Sequence, residues 1–213
     1  MSAKVAAWVL FAVQLACAGV FGFTQFGQML SSTQGVSMSW LGAFEIFLFL
    51  NLWLAWRSHG TKPSLVTGQT VIVYGFYALM IGLDLSVVFL RQSWSWTTQD
   101  TLTAALIVAG VAVTLAIGVI RGARLAGPLM RGWLAVSFKA VPQIVLAWSI
   151  SIHGGAGLAL GAVVSGHITI LSRLAQLSMA IREAGWDQNR VGSFISEVPN
   201  ELSWIAVTLA WVS

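Results

Sequence analysis

Leu102-Thr103-Ala104-Ala105-Leu106-Ile107-Val108-Ala109-Gly110-Val111-Ala112-Val113-Thr114-Leu115-Ala116-Ile117-Gly118-Val119-Ile120 runs without one charged residue. It lacks the polar–apolar alternation of a transmembrane strand and the one-sided stripe of a soluble amphipathic helix, being apolar all round. At about 1.5 Å per residue, a helix of this length crosses the roughly 30 Å hydrocarbon core of a bilayer. Reading outward between charges and turn residues gives seven such segments, near 5–29, 37–56, 68–90, 101–120, 133–152, 156–178 and 194–213. The last must start before Pro199, because too few residues follow that proline to span.

The rest of the chain agrees. Its 213 residues are 57% hydrophobic and only 8% charged, against about 25% charged in ordinary soluble domains, and the mean hydropathy is +0.83. A soluble domain is excluded, and an all-α, polytopic membrane protein of seven transmembrane helices is expected. Eleven Trp and eleven Phe beside two Tyr suit aromatic anchoring at lipid interfaces. Cys17 is the one cysteine, so neither an internal disulfide nor a CxxC metal site is available. Lys4, the apolar run after it and Ala16-Cys17-Ala18 superficially resemble a signal peptide. The run continues to Phe26, however, and Gln14 spoils a lipobox, so an uncleaved first helix is expected.

Charge sets the orientation. Lys4, Arg57, Lys62, Arg121, Arg124, Arg131, Arg182 and Arg190 fall on one side of a seven-span chain, Arg91 alone on the other. Basic loops stay in the cytoplasm during insertion, which predicts the N-terminus inside and the C-terminus outside. The formal net charge of +4 is thereby explained by topology, with no basic run that calls for nucleic acid.

The halves of the chain invite comparison, since transporters are often duplicated bundles. Helix 1 ends in Phe23-Thr24-Gln25-Phe26-Gly27-Gln28 before the polar turn Ser31 to Ser37; helix 5 carries Ala140-Val141-Pro142-Gln143-Ile144-Val145 before the turn His153-Gly154-Gly155-Ala156-Gly157. Each half reads as a helix, a Gln-bearing break, a Gly/Ser turn and a second long helix. Seven helices leave three, a linker and three, so the repeats share one orientation. The expected units are 1–92, a linker with helix 4 over 93–128, and 129–213.

This pattern resembles the SWEET and PQ-loop transporter superfamily. Pro142-Gln143 matches the dipeptide that names the PQ-loop group, and Phe194-Ile195-Ser196-Glu197-Val198-Pro199-Asn200 is similar to the Pro-Asn entry into the third helix of a SWEET bundle. Trp53, sixteen residues before Gln69, resembles the pairing of a Trp with a sugar-facing Asn in bacterial SemiSWEETs, with Gln69 standing where that family has Asn. The first half departs from the family: Thr24-Gln25 replaces the PQ dipeptide, helix 1 has no proline, and the N-terminus is predicted inside.

The resemblance implies a transporter that moves a small, neutral, polar, sugar-like solute by alternating access, as facilitated diffusion, without catalytic residue, metal or cofactor. Asn51, Trp53, Gln69 and Asn200 form the expected ligand set, because aromatics cover ring faces and amides serve hydroxyls without a charge to desolvate. Pro142, Gln143 and Pro199 are the expected hinge or gating residues, a proline within a helix removing a backbone donor. For Pro142 the alternative is a static kink, for Trp53 a place in the interfacial belt. Among the ionisable residues inside spans, each costly in lipid, Glu45 and Asp84 are the candidates for proton coupling. The alternatives are that Glu45 pairs with Lys139 or His167 and that Asp84 reaches interfacial water; Lys139 and Arg173 are expected to snorkel to the basic side. The expected partners are the solute and the lipid bilayer, with a homo-oligomer compatible and nucleic acid excluded. A PQ-loop-like receptor without transport, or a subunit beside a membrane enzyme, is the alternative function.

Overall fold

The computed structural model describes residues 3–61, 63–92, 96–124 and 127–213. Lys62, the side chain of Lys4 and residue 93, where the linker is expected to begin, lie outside the described residues. Helix makes up 88% of the described residues, and none of them lies in a strand, so the fold is all-α. The elements are α1 (Ala3–Ser31), α2 (Met38–Thr61), α3 (Leu65–Gln92), α4 (Thr98–Ile120), α5 (Pro128–Ala135), a π-helical turn (Val136–Ala140), α6 (Val141–His153), α7 (Leu160–Ala184) and α8 (Gln188–Val212). Six spans among the described residues are long and apolar enough to cross a membrane: five starting at Trp8, Met38, Thr67, Thr98 and Leu160, and the rod Pro128–His153 made by α5, the π turn and α6. The protein is therefore read as multi-pass. α8 has the length but is more polar, with Glu197, Asn200 and Glu201 at its middle, and is not among the six.

Local chemistry accounts for where these helices start and stop. The Thr97 hydroxyl and the Asp100 carboxylate form a capping box at the head of α4, satisfying amides that the first turn leaves free. Asp100 also accepts from the backbone N–H of Ser39 at 2.8 Å, pinning α4 to the start of α2. Pro128, expected in a loop, is instead the first residue of α5, where its missing N–H costs nothing. The last helix begins at Gln188 rather than 194, because the Asp187 side chain caps it by accepting from the Arg190 amide. α7 begins at Leu160, so the turn that holds Gly155 and Gly157 runs a few residues past 156, where the span was expected to start.

Pro142 explains the π turn. Lacking an N–H, it cannot bond the carbonyl four residues back, and the chain widens its register there, with the Val141 amide donating to Val136 O. Such one-turn π segments rotate the residues they contain, and here the turn carries Lys139, 2% exposed, into the interior.

α3 packs against α1 and α2, and α8 packs against the rod and α7. These two groups meet along two seams, α1 with α7 and α2 with the rod. Backbones touch where Gly132 meets Gly192: a β-carbon on Gly132 would sit 2.5 Å from Gly192 O. α4 lies outermost, with 17% of its spanning window buried against 61% for the rod. It leans on α2, α5 and α6, held at its head by Asp100 and by Ser149, whose hydroxyl donates to Gln99 Oε1 at 2.8 Å. Arg57, Arg121, Arg124, Arg131, Arg182 and Arg190 lie at one end of the array, hereafter the basic end, and Arg91 at the other.

Candidate functional site

Two cavities enter from the basic end. One, of about 330 Å³, lies between α2, α3, α5 and α8, and Asn51, Thr70, Tyr74, Arg131, Ser196 and Glu197 are among its walls. The other, of about 480 Å³, lies between α1, α3 and α7, with Gln14, Gln69, Thr70, Tyr74, Arg173 and Gln176 in its lining. Thr70 and Tyr74 line both, so the first turns of α3 form the partition between them.

Both cavities end inward on a charge cluster. Lys139 Nζ donates to Glu197 Oε1 at 2.9 Å and to Ser196 Oγ at 3.2 Å, and lies over the Phe47 ring. Arg173 Nη1 stands 3.7 Å from the same Glu197 oxygen, with its guanidinium over the Tyr74 ring. The expectation that Lys139 and Arg173 snorkel to the basic side is thereby corrected: α8 brings a carboxylate to them, and pairing replaces the trip to water. Charges this far from solvent persist only when paired and hydrogen-bonded.

Beyond the cluster lies a cavity of about 50 Å³ lined by Tyr77, Gln143, Thr169, Asn200 and Trp204. Gln143 donates to Asn200 Oδ1 at 3.1 Å and accepts from the Ser203 hydroxyl. The two PQ and PN residues thus engage one another across α6 and α8. A plug of aromatic rings follows: Trp40 stacks on Trp204 at 6.4 Å and Phe21 tilts against it at 6.3 Å, while the indole N–H of Trp204 donates to Val163 O.

The far end is sealed by the two polar turns. The fully buried Gln25 donates to Gly157 O at 2.7 Å and accepts from the Ala159 amide at 3.0 Å. Gln28 donates to Ala156 O, Gln34 donates to His153 O, and the Gly157 amide donates to Gln34 O. Side-chain bulk is excluded at this contact: a β-carbon on Gly157 would stand 2.8 Å from Gln34 O, and one on Gly35 (φ +82°) 2.8 Å from Gly154 O.

The expected ligand set is not assembled in one place. Asn51, Gln69 and Asn200 each line a different cavity. Trp53 is 56% exposed on the outside of α2, with Arg57 over its ring. Asn51 donates to Phe47 O within its own helix. Pro142 and Pro199 flank the Gln143–Asn200 contact, and the Ser203 hydroxyl oxygen lies 2.8 Å from the carbonyl oxygen of Pro199. Glu45 pairs with neither Lys139 nor His167, and its Oε2 is buried without a hydrogen-bond partner. Asp84 does not reach water: it is 0% exposed, and neither oxygen has a partner.

His167 pairs with Glu201, Nδ1 to Oε1 at 2.7 Å, and its Nε2 lies 2.8 Å from Thr208 Oγ1. The Thr208 hydroxyl also donates to Trp204 O at 2.9 Å, so the contact links α7 to two turns of α8. Sequence reasoning assigned no role to Glu197, Glu201, Tyr74 or Trp204. The available signal was two acids four residues apart in α8, matched to two interior cations and a histidine elsewhere. Comparison of the chain with protein-family models, with curated proteins and with solved structures finds no match.

Proposed function

We propose that this protein is a membrane transporter that carries a small polar solute between two three-helix units by alternating access. The units are α1–α3 and the rod with α7 and α8, with α4 as the linker, a 3+1+3 arrangement in seven spans. In each unit the third helix lies between the other two, and the two seams exchange equivalent helices, α1 with α7 and the rod with α2. A parallel repeat with a two-fold axis between its units has this pattern, and it is the architecture implied by the SWEET resemblance. Charge bias makes the basic end cytoplasmic.

The observation that carries the reading is the polarity of access. Cavities of about 330 and 480 Å³ enter from the basic end and stop at the Lys139–Glu197–Arg173 cluster. The other end is closed by aromatic stacking and by backbone contacts between the two polar turns. This is an inward-open arrangement. Rocking the units apart at Gly35 and Gly157, with flexure at the Pro142 π turn and Pro199, would open the outer end. Facilitated diffusion is the default, since binding alone supplies no driving force. Proton coupling would fall to Glu45 or Asp84, whose carboxyls have atoms free of structural duty.

The test is to hold the seal shut. Gln34→Cys with Ala156→Cys, in a Cys17→Ala background, is reconstituted into liposomes and treated with a short bis-maleimide. Solute uptake is screened over sugars, nucleosides, amino acids and small carboxylates, with and without a pH gradient. Flux that is lost on cross-linking, and kept in either single variant, supports alternating access. Absence of flux for every solute in well-folded protein, or flux indifferent to the cross-link, sinks it and favours a receptor or partner subunit. A gradient requirement that vanishes in Asp84→Asn or Glu45→Gln would replace facilitated diffusion with proton coupling.

A further inference from the structure

The cavity between α1, α3 and α7 is rich in hydrogen-bond donors that the protein itself does not use. Arg173 offers five N–H groups but makes no hydrogen bond to any described residue: its contacts are the 3.7 Å approach to Glu197 and the face of Tyr74. Glu197 is already taken, because the same oxygen accepts from Lys139 at 2.9 Å and from the Ser196 hydroxyl at 3.2 Å. Two cations thus share one carboxylate, and the cavity wall carries the unspent one. Gln69, on the opposite wall, is only 8% exposed, and its amide nitrogen has no partner. A buried donor left unpaired costs the full desolvation of that group.

The remaining lining supplies no second carboxylate near Arg173. The Gln176 carbonyl oxygen accepts from Gln14 at 3.2 Å. Glu183 is the other charged group of the lining, but it stands ten residues along α7 from Arg173, about 15 Å in a helix, and is exposed at the mouth. A neutral sugar would not need an arginine, and it would leave the guanidinium sharing the Glu197 carboxylate with Lys139 at 3.7 Å. A planar carboxylate takes the arginine fork through two parallel N–H···O bonds. The volume of about 480 Å³ is within the range of small-molecule sites.

We propose that this cavity seats a small organic monocarboxylate, with Arg173 as its counter-ion and the Gln69 amide as a second donor. The assignment rests on the transport reading only for how the solute arrives; binding itself is independent of flux. It also separates this protein from the neutral, sugar-like solute that the resemblance implies.

The experiment is equilibrium binding to the purified full chain in nanodiscs, with sodium lactate against lactamide, its uncharged isostere, and glucose. The expected result is saturable lactate binding with neither neutral compound bound. Hydrogen bonds to charged groups predict that lactate affinity falls about 100-fold in Arg173→Gln and about tenfold in Gln69→Leu, with Arg173→Lys between wild type and Arg173→Gln. Gln69→Leu keeps the test open if Arg173→Gln fails to fold. Equal binding of lactate and lactamide, no lactate binding to folded wild type, or unchanged affinity in both variants would overturn the proposal. Phosphatidylglycerol that competes lactate away, and is retained by wild type but lost from Arg173→Gln, would overturn it in favour of a lipid headgroup. Glucose flux without lactate binding overturns this inference and spares the transport reading; lactate binding without flux supports this inference and sinks that reading.

Discussion

α3 and α8 each lie between two other helices, yet they differ in how far their buried polar groups are paired. α8 brings Ser196, Glu197, Asn200 and Ser203 into the interior and finds a partner for each on the rod: Lys139 for the first two, Gln143 for the others, leaving one oxygen of Glu201 unpaired. α3 brings in Gln69 and Asp84, and leaves the Gln69 nitrogen and both Asp84 oxygens without a hydrogen-bond partner. In α8, polarity ties helices together. In α3 more of it is left unpaired, and an unsatisfied buried group costs stability.

The largest break in this contrast is Glu197→Gln. It leaves Lys139 and Arg173 as two buried cations without a carboxylate, and loss of one partner of a buried pair costs about 3–5 kcal/mol. The expected outcome is a sharp fall in the thermal midpoint followed by tryptophan fluorescence, recovered in large part by Lys139→Met in the same chain. Asp84→Val has the opposite sign. Removing two unpartnered oxygens at nearly constant volume should stabilise by about 1–3 kcal/mol, read as a higher midpoint; a loss of stability would show that Asp84 has a structural partner and erase the difference between the two helices. Asn200→Ala breaks the bond to Gln143 and should destabilise by about 1 kcal/mol, and the double change with Gln143→Ala should cost less than the sum of the single changes because the two share one contact. Trp53→Leu sharpens the comparison as a control: a lipid-facing ring outside both networks should change the midpoint by less than about 0.5 kcal/mol.

Much of this fold was legible in the chain. Runs such as Leu102–Ile120 fix helix by length and all-round apolarity, and the arginine distribution picks out the basic end. The Pro142-Gln143 and Pro199-Asn200 pairs were readable as important, but not as each other's partners. Helix starts were misjudged where a side-chain cap decides them, as Asp187 does for α8. The members of the expected ligand set lie apart because residues sixteen apart, such as Trp53 and Gln69, sit on different helices whose rotation no spacing records. Trp53 faces outward and Gln69 lines the α1–α3–α7 cavity.

By itself, the sequence determined the elements: apolar length, proline and glycine placement and charge asymmetry act locally, or through the bilayer, and need no knowledge of neighbours. Only the tertiary structure decided which charges meet. Lys139 and Glu197 are 58 residues apart in the chain, and their contact depends on a π turn that swings one inward and on α8 lying against the rod. The same packing leaves Arg173 and Gln69 facing one cavity with donors to spare. Pairing energies in a low-dielectric interior fall steeply with distance and geometry, so the difference between a snorkelling lysine and a buried ion pair is written in helix rotation rather than in composition.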